Sequence, residues 1–357
     1  MRIYGYLTPY MPKVTELTIG AGHYSLGNAL VPGSTFSNKA ASYHVNSRGF
    51  RGPEFAMPKP EGTYRIFALG GSTTFGIFPA TTSDTTTYPA VLQVLLNANK
   101  PEPAIKRYEV VNAGVPGYST RTSTTNFHAR ILHLQPDAII IYHNTNDLAR
   151  YGDEEQILYP LMNQFVPRGF AVELFDHIFG WSYAVQELRF TIRNRLNFDR
   201  MTPGSADLRG RTEWTLDTRY LEAFRRDLRN LVILAKANNV MPVLATQSIA
   251  FSETTDFSRL TEDEIKMRFQ QPWDFYRRIP PEQRFPMFRR YNDIIREVAL
   301  QEHVLLADVN AAIPKTSEYH YDYCHLTDRG SALQAAIIHA ALLNTGASKK
   351  MVVSGNK

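Results

Sequence analysis

The sequence predicts an α/β fold, a three-layer α/β/α sandwich on a parallel sheet of about five strands. Two observations carry that expectation. Short apolar runs recur without polar interruption and stop at glycine-rich or polar turns, the pattern of strands buried on both faces. Segments with apolar residues at helical spacing lie between them, and strand, turn and helix in succession imply right-handed crossovers within one sheet. The composition agrees. Of 357 residues, 43% are hydrophobic and 20% charged, which suits a chain with a large core rather than a disordered one.

Residues 1–62 are rich in Gly, Pro, Ser and Tyr and show only short strand-like pieces, such as 41–45. They are expected to form an N-terminal extension packed on a main domain spanning 63–347. Arg48 and Arg51 fall in the turn-rich stretch 46–53 and are read as solvated turn arginines, the alternative being contact with a substrate. Residues 66–69 form the first strand run and end at Gly70 and Gly71. Two glycines let the backbone turn sharply, so Ser72 stands at the carboxyl end of a parallel strand, where open α/β sheets place ligands.

A helix is predicted over 88–99, on Val91, Leu92, Leu95 and Leu96, with Pro101 and Pro103 ending it. A second strand, 108–111, runs into Asn112-Ala-Gly-Val-Pro-Gly117. A helix over about 123–134 leads to a third strand, 138–142, which runs into His143-Asn-Thr-Asn-Asp147. Two insertions then break the rhythm. The first, 151–215, holds an apolar helical stretch at 170–190 followed by arginines, read as a packed helix, with a substrate-lining lid or a lipid-facing surface as alternatives. The second, 251–286, carries a helix-start signal at Thr261-Glu-Asp-Glu264. Helices at 220–238, 288–302 and 331–343 and strands at 242–246 and 304–307 complete the domain, and the tail 348–357 is expected to be disordered.

The same residues argue against several function classes. The net charge is +5, but the basic residues do not gather into a block with interleaved aromatics, so no nucleic-acid partner is expected. Cys324 is the single cysteine; an intramolecular disulfide and a cysteine-based zinc site both need more. His128 and His133 are five apart and do not share a helix face, so no metal is predicted. Gly70-Gly-Ser-Thr-Thr lacks the lysine of a phosphate-cradling loop, so nucleotide binding is not expected. No run approaches the roughly 20 apolar residues of a membrane span. Residues 4–10 read like the interior of a domain, which leaves room for an upstream signal or anchor.

Four polar turns beside strand ends or the final helix offer complementary chemistry. Ser72 is a candidate nucleophile, and Asp322 and His325, in Asp-Tyr-Cys-His, are a candidate orienter and base. Gly117 offers a backbone N–H and Asn146 a side-chain amide. Read singly, each has a plain structural reading: Gly-Gly-Ser and Asn146-Asp147 as turns, Asp322 as a helix cap beside an incidental histidine, Cys324 as a small filler. Asp328 is a rival orienter that also suits a cap.

Taken together, Ser72 in Gly-Gly-Ser-Thr, Gly117 in Asn-Ala-Gly-Val-Pro-Gly, Asn146 in Asn-Thr-Asn-Asp and His325 in Asp-Tyr-Cys-His resemble the four ordered blocks of the SGNH, or GDSL-type, hydrolase family, over roughly residues 45–345. The resemblance implies a flavodoxin-like parallel sheet and a cofactor-free serine esterase. It implies a triad of Ser72, His325 and Asp322, with an oxyanion hole made by the N–H groups of Ser72 and Gly117 and the amide of Asn146. Two positions depart from the family pattern: Gly71 stands where the first block usually has Asp, and Asn144 stands where the third usually has Gly. Polar residues expected at the rim, Thr73, Thr74, Tyr118, Asn144 and Thr145, suggest a small-molecule or carbohydrate ester as substrate, carbohydrate deacetylation being preferred to lipid cleavage. An acyltransferase with a sugar acceptor, or a binding module that has lost turnover, are the alternatives.

Overall fold

A computed structural model describes residues 20–23, 26–37, 41–77, 79–149, 218–251, 255 and 281–344. Five parallel strands form its centre: β1 (Thr63–Gly70), β2 (Arg107–Gly114), β3 (Ala138–Tyr142), β4 (Met241–Ala245) and β5 (Leu305–Ala307), in the order β2-β1-β3-β4-β5. This is the flavodoxin-like order, with its topological switch point between β1 and β3.

Alternation along the strands builds the layers, because successive side chains of a strand point to opposite faces. Phe67 and Leu69 of β1, with Ile139 and Ile141 of β3 and Leu244 of β4, join one buried cluster. Two long helices complete that cluster, α5 (Thr218–Ala237) through Leu228 and Leu231 and α6 (Pro281–Gln301) through Phe288 and Ile294. Ile66, Ala68, Ile140 and Val243 point the other way, onto Leu92 and Leu96 of α2 (Tyr88–Ala98) and Ile338 and Leu342 of α7 (Asp328–Asn344). A sheet with helices on both faces needs strands without polar interruption, which is what the sequence supplies.

Register then sets where the turns lie. Gly70, the last residue of β1, pairs with Gly114 on β2 and with Tyr142 on β3. Three strands therefore end at one level, and the turns that follow them meet over the switch point. Two of those turns start short helices, α1 (Ser72–Phe75) and α4 (Thr145–Ala149), and α3 (Thr120–Asn126) follows the turn after β2.

The expected helix over 123–134 takes another form. After α3 the chain passes through a π-helical turn, Phe127–Ile131, and a 3-10 turn, Leu132–Leu134. Within it Phe127 and Ile131 are fully buried, while His128 and His133 are exposed. Helices α6 and α7 begin earlier than the apolar spacing indicates, at Pro281 and Asp328. The apolar stretch 170–190, the signal at 261–264 and the tail lie outside the described residues.

The N-terminal segment covers the back of α1. Strands Thr35–Ser37 and Ser42–His44 form an antiparallel pair. Leu26, Leu30, Tyr43 and Val45 pack with Phe75, Val115 and Tyr118, and Phe50 and Phe55 pack on Phe67 at ring distances of 5.5 and 6.1 Å. Arg51 is not the solvated turn arginine its surroundings suggest, for it is 2% exposed. Its guanidinium lies over the rings of Tyr43 and Phe75 at 4.7 and 4.9 Å. It pairs with Asp84 at 2.8 Å and donates to the carbonyls of Phe75 and Gly76, at the end of α1. A buried cation lasts only where such partners replace water. Arg48, in contrast, is exposed.

Candidate active site

Ser72 opens α1, and its Oγ lies 2.8 Å from His325 Nε2. The other imidazole nitrogen, Nδ1, lies 2.6 Å from Asp322 Oδ2. Asp322 is itself fixed by the loop that carries it: its Oδ1 accepts the backbone N–H groups of Cys324 at 2.9 Å and His325 at 2.8 Å. One carboxylate thus shapes the turn and orients the ring. Asp328, the rival orienter, binds elsewhere, accepting the N–H and hydroxyl of Thr82.

Charge and burial act on this pair in opposite senses. Burial alone would push the imidazole of His325 down, but the Asp322 charge and hydrogen bond outweigh it and hold His325 well above its ordinary 6.5. Burial would push Asp322 up; the facing imidazole and the two backbone donors hold it below its ordinary 3.8. Cys324 lies between them in sequence, with Sγ 3.7 Å from His325 Nδ1. Burial pushes its thiol up, so a thiolate is disfavoured there, and the ring nitrogen it faces is already bonded to Asp322. Asp322, Cys324 and His325 are the one cluster among the described residues whose donor atoms lie close enough to hold a metal ion, within 4.8 Å of one another. Those atoms are the same ones that bond each other.

Asn146, in the first turn of α4, reaches back over Gly71 and donates its Nδ2 to the carbonyl of Tyr118 at 2.8 Å. That bond uses one of its two amide hydrogens. Gly117 precedes Tyr118 at the exposed crest of the turn after β2, with φ of +84°, a left-handed conformation that favours glycine. The N–H of Ser72 belongs to the first turn of α1 and so has no acceptor within its own helix.

Gly71 is explained by the same geometry. Its φ is −90°, so no left-handed turn demands glycine. A Cβ there would sit 2.3 Å from Asn146 Nδ2 and 3.1 Å from the Tyr118 carbonyl. Close approach favours glycine: a side chain here would have to displace the Asn146 amide.

Of the residues expected at a polar rim, four are buried and one, Thr73, is half-buried. Tyr118 is fully buried in the cluster under the N-terminal segment. Asn144 is fully buried and donates to the Phe288 carbonyl at 2.9 Å and to Asn292 Oδ1 at 3.0 Å. Thr145 is buried against Gln247, and Thr74 is fully buried as well. Thr73 is half-buried and accepts from Gln247 Nε2 at 3.1 Å. Gln247 was not among the residues singled out in the sequence: it follows a strand end in Ala-Thr-Gln-Ser, with no motif to mark it.

The model of the GDSL-like lipase/acylhydrolase family matches residues 68–333. The chain belongs to that family. As a GDSL-type protein it is a hydrolase of the esterase kind. Among solved structures it is similar to LAE5, an alpha/beta hydrolase enzyme from the metagenome of Lake Arreo, Spain. That similarity is 18% identity over 79% of this chain and 97% of that one, with a TM-score of 0.45. It is also similar to Axe2, an acetylxylan esterase from Geobacillus stearothermophilus, with 15% identity over 78% of this chain and 94% of that one and a TM-score of 0.45. No curated protein matches this GDSL-type chain. No helix among its described residues is long and apolar enough to cross a membrane.

Proposed function

We propose that the protein hydrolyses a carboxylic ester through an acyl-enzyme on Ser72. The observation that carries this reading is the continuous chain of bonds from Ser72 Oγ to His325 Nε2 and from His325 Nδ1 to Asp322, at 2.8 and 2.6 Å. In the proposed cycle Ser72 Oγ attacks the ester carbonyl carbon while His325 Nε2 takes its proton, and Asp322 stabilises the imidazolium through Nδ1–H. The carbonyl oxygen becomes an oxyanion held by the N–H groups of Ser72 and Gly117 and the free hydrogen of the Asn146 amide. The C–O bond to the alcohol breaks and His325 returns the proton to the leaving oxygen. Water then attacks the acyl-enzyme by the same route, releasing the carboxylic acid and restoring Ser72.

Four of the five polar residues that favoured a carbohydrate carrier are buried, so the proposal stops at the ester class. Gly71 and Asn144, the two departures that suggested a module without turnover, both have structural reasons here.

A fluorophosphonate probe, run beside short-chain nitrophenyl esters, tests the reading. Labelling and turnover are expected to vanish in Ser72→Ala and to fall steeply in His325→Ala. A Ser72→Ala variant that labels and turns over like the wild type would overturn the assignment. Acyl transfer to an added sugar in the same assay would turn the proposal from hydrolase to transferase.

A further inference from the structure

Gln247 joins two turns that carry different parts of the proposed machinery. Its side chain lies just past β4, is 1% exposed, and makes three bonds. Oε1 accepts the backbone N–H of Thr145 at 2.8 Å, and Nε2 donates to the hydroxyls of Thr73 and Thr145, each at 3.1 Å. The orientation of the amide is fixed by chemistry, because a backbone N–H can only donate and so must face the oxygen. Thr73 follows the nucleophile, and Thr145 precedes Asn146. One amide therefore bridges the turn after β1 to the turn after β3.

The amide is held in turn. The Gln247 N–H donates to Asn292 Oδ1 at 3.0 Å, and Asn292 Nδ2 donates to the Gln247 carbonyl at 2.9 Å, a closed two-bond ring. The same Asn292 oxygen accepts from Asn144, which leads into α4. Asn292 is fully buried on α6. The side-chain amides of Gln247 and Asn292 have all their polar atoms bonded, and a buried pair satisfied in this way resists displacement.

We propose that Gln247 is a positioning residue: it sets the separation between Ser72 and the Asn146 amide and so acts on the transition state through the oxyanion donor. The inference rests on the triad reading above. Gln247 does not itself meet the ester. A donor aimed at developing charge loses its effect when displaced, and a misplacement of about 1 Å costs about a hundredfold in rate. The effect belongs to kcat, because negative charge on the carbonyl oxygen develops only as the tetrahedral intermediate forms.

The test is a double-mutant cycle of Gln247→Leu with Asn146→Ala, read by nitrophenyl ester kinetics and by the rate of phosphonylation. Gln247→Leu alone is expected to lower kcat by about a hundredfold, leave KM within about twofold, and slow phosphonylation in parallel. In the Asn146→Ala background it is expected to cost less than about threefold, because the donor it places is gone. Wild-type kcat in Gln247→Leu overturns the inference, as does an equal loss in both backgrounds. If Gln247→Leu does not fold, Thr73→Val takes its place in the cycle, removing the acceptor on the nucleophile's side; the same non-additivity is expected and full additivity overturns it. An inactive wild type would instead overturn the esterase reading, before Gln247 is reached.

Discussion

At the scale of single residues, the most informative contact is between Gly71 and Asn146. The family's usual first block has a carboxylate where this chain has glycine, so Gly71→Asp looks like a return to type. The geometry predicts the reverse, because a Cβ would enter the space of Asn146 Nδ2, 2.3 Å away. Under the proposed mechanism Gly71→Asp is expected to lower kcat by about a hundred- to a thousandfold, the cost of losing one oxyanion donor. Nitrophenyl ester turnover alongside thermal melting checks this, and unchanged kcat would refute it. Residues of this kind differ in how far the sequence discloses them. The grouping of Ser72, Asp322 and His325 was legible because the proposed chemistry demands particular side chains in a particular order. Gln247, Asn144 and Arg51 were not, since each works by a buried hydrogen bond to a partner far away in the chain, and nothing local distinguishes a buried amide or guanidinium from a solvated one.

The loop that carries Asp322 and His325 makes its prediction at the scale of the element. His325 is held above its ordinary 6.5 and Asp322 below its ordinary 3.8. A base must be neutral to accept a proton, so the acid limb of kcat/KM is expected above the ordinary histidine range. Stability runs the other way. The raised His325 contributes stabilisation that is complete below 6.5 and is lost as pH rises through its folded value. The depressed Asp322 contributes above 3.8 and loses it as pH falls through its own folded value. From 6.5 upward, turnover should therefore rise while this contribution to stability falls. Denaturant unfolding of Ser72→Ala across that range should keep the slope, and Asp322→Asn should flatten it; equal slopes would count against the pairing. Strand elements were legible to within a few residues, because burial on both faces leaves an unbroken apolar run. Element ends were less so. Helix α7 starts three residues earlier than its apolar spacing indicates, since its first turn is polar and Asp328 bonds Thr82. The π turn at Phe127–Ile131 changes the helical period itself.

At the scale of the whole molecule, strand order and register decide what is near what. Order places β1 and β3 side by side at the switch point, and register ends them level, which brings the turns bearing Ser72 and Asn146 together. The N-terminal segment joins the same unit by packing on Phe67 and by closing Arg51 over the end of α1.

Ser72 and His325 lie 253 positions apart in the chain. Closing a contact across that separation carries a large loop-closure cost, so the bond is expected among the later events of folding. Under the proposed mechanism, reactivity toward a phosphonate is then a clock for completion. During refolding from denaturant, recovery of labelling is expected to lag behind recovery of far-ultraviolet circular dichroism, and coincident recovery would show that the two ends of the chain meet early.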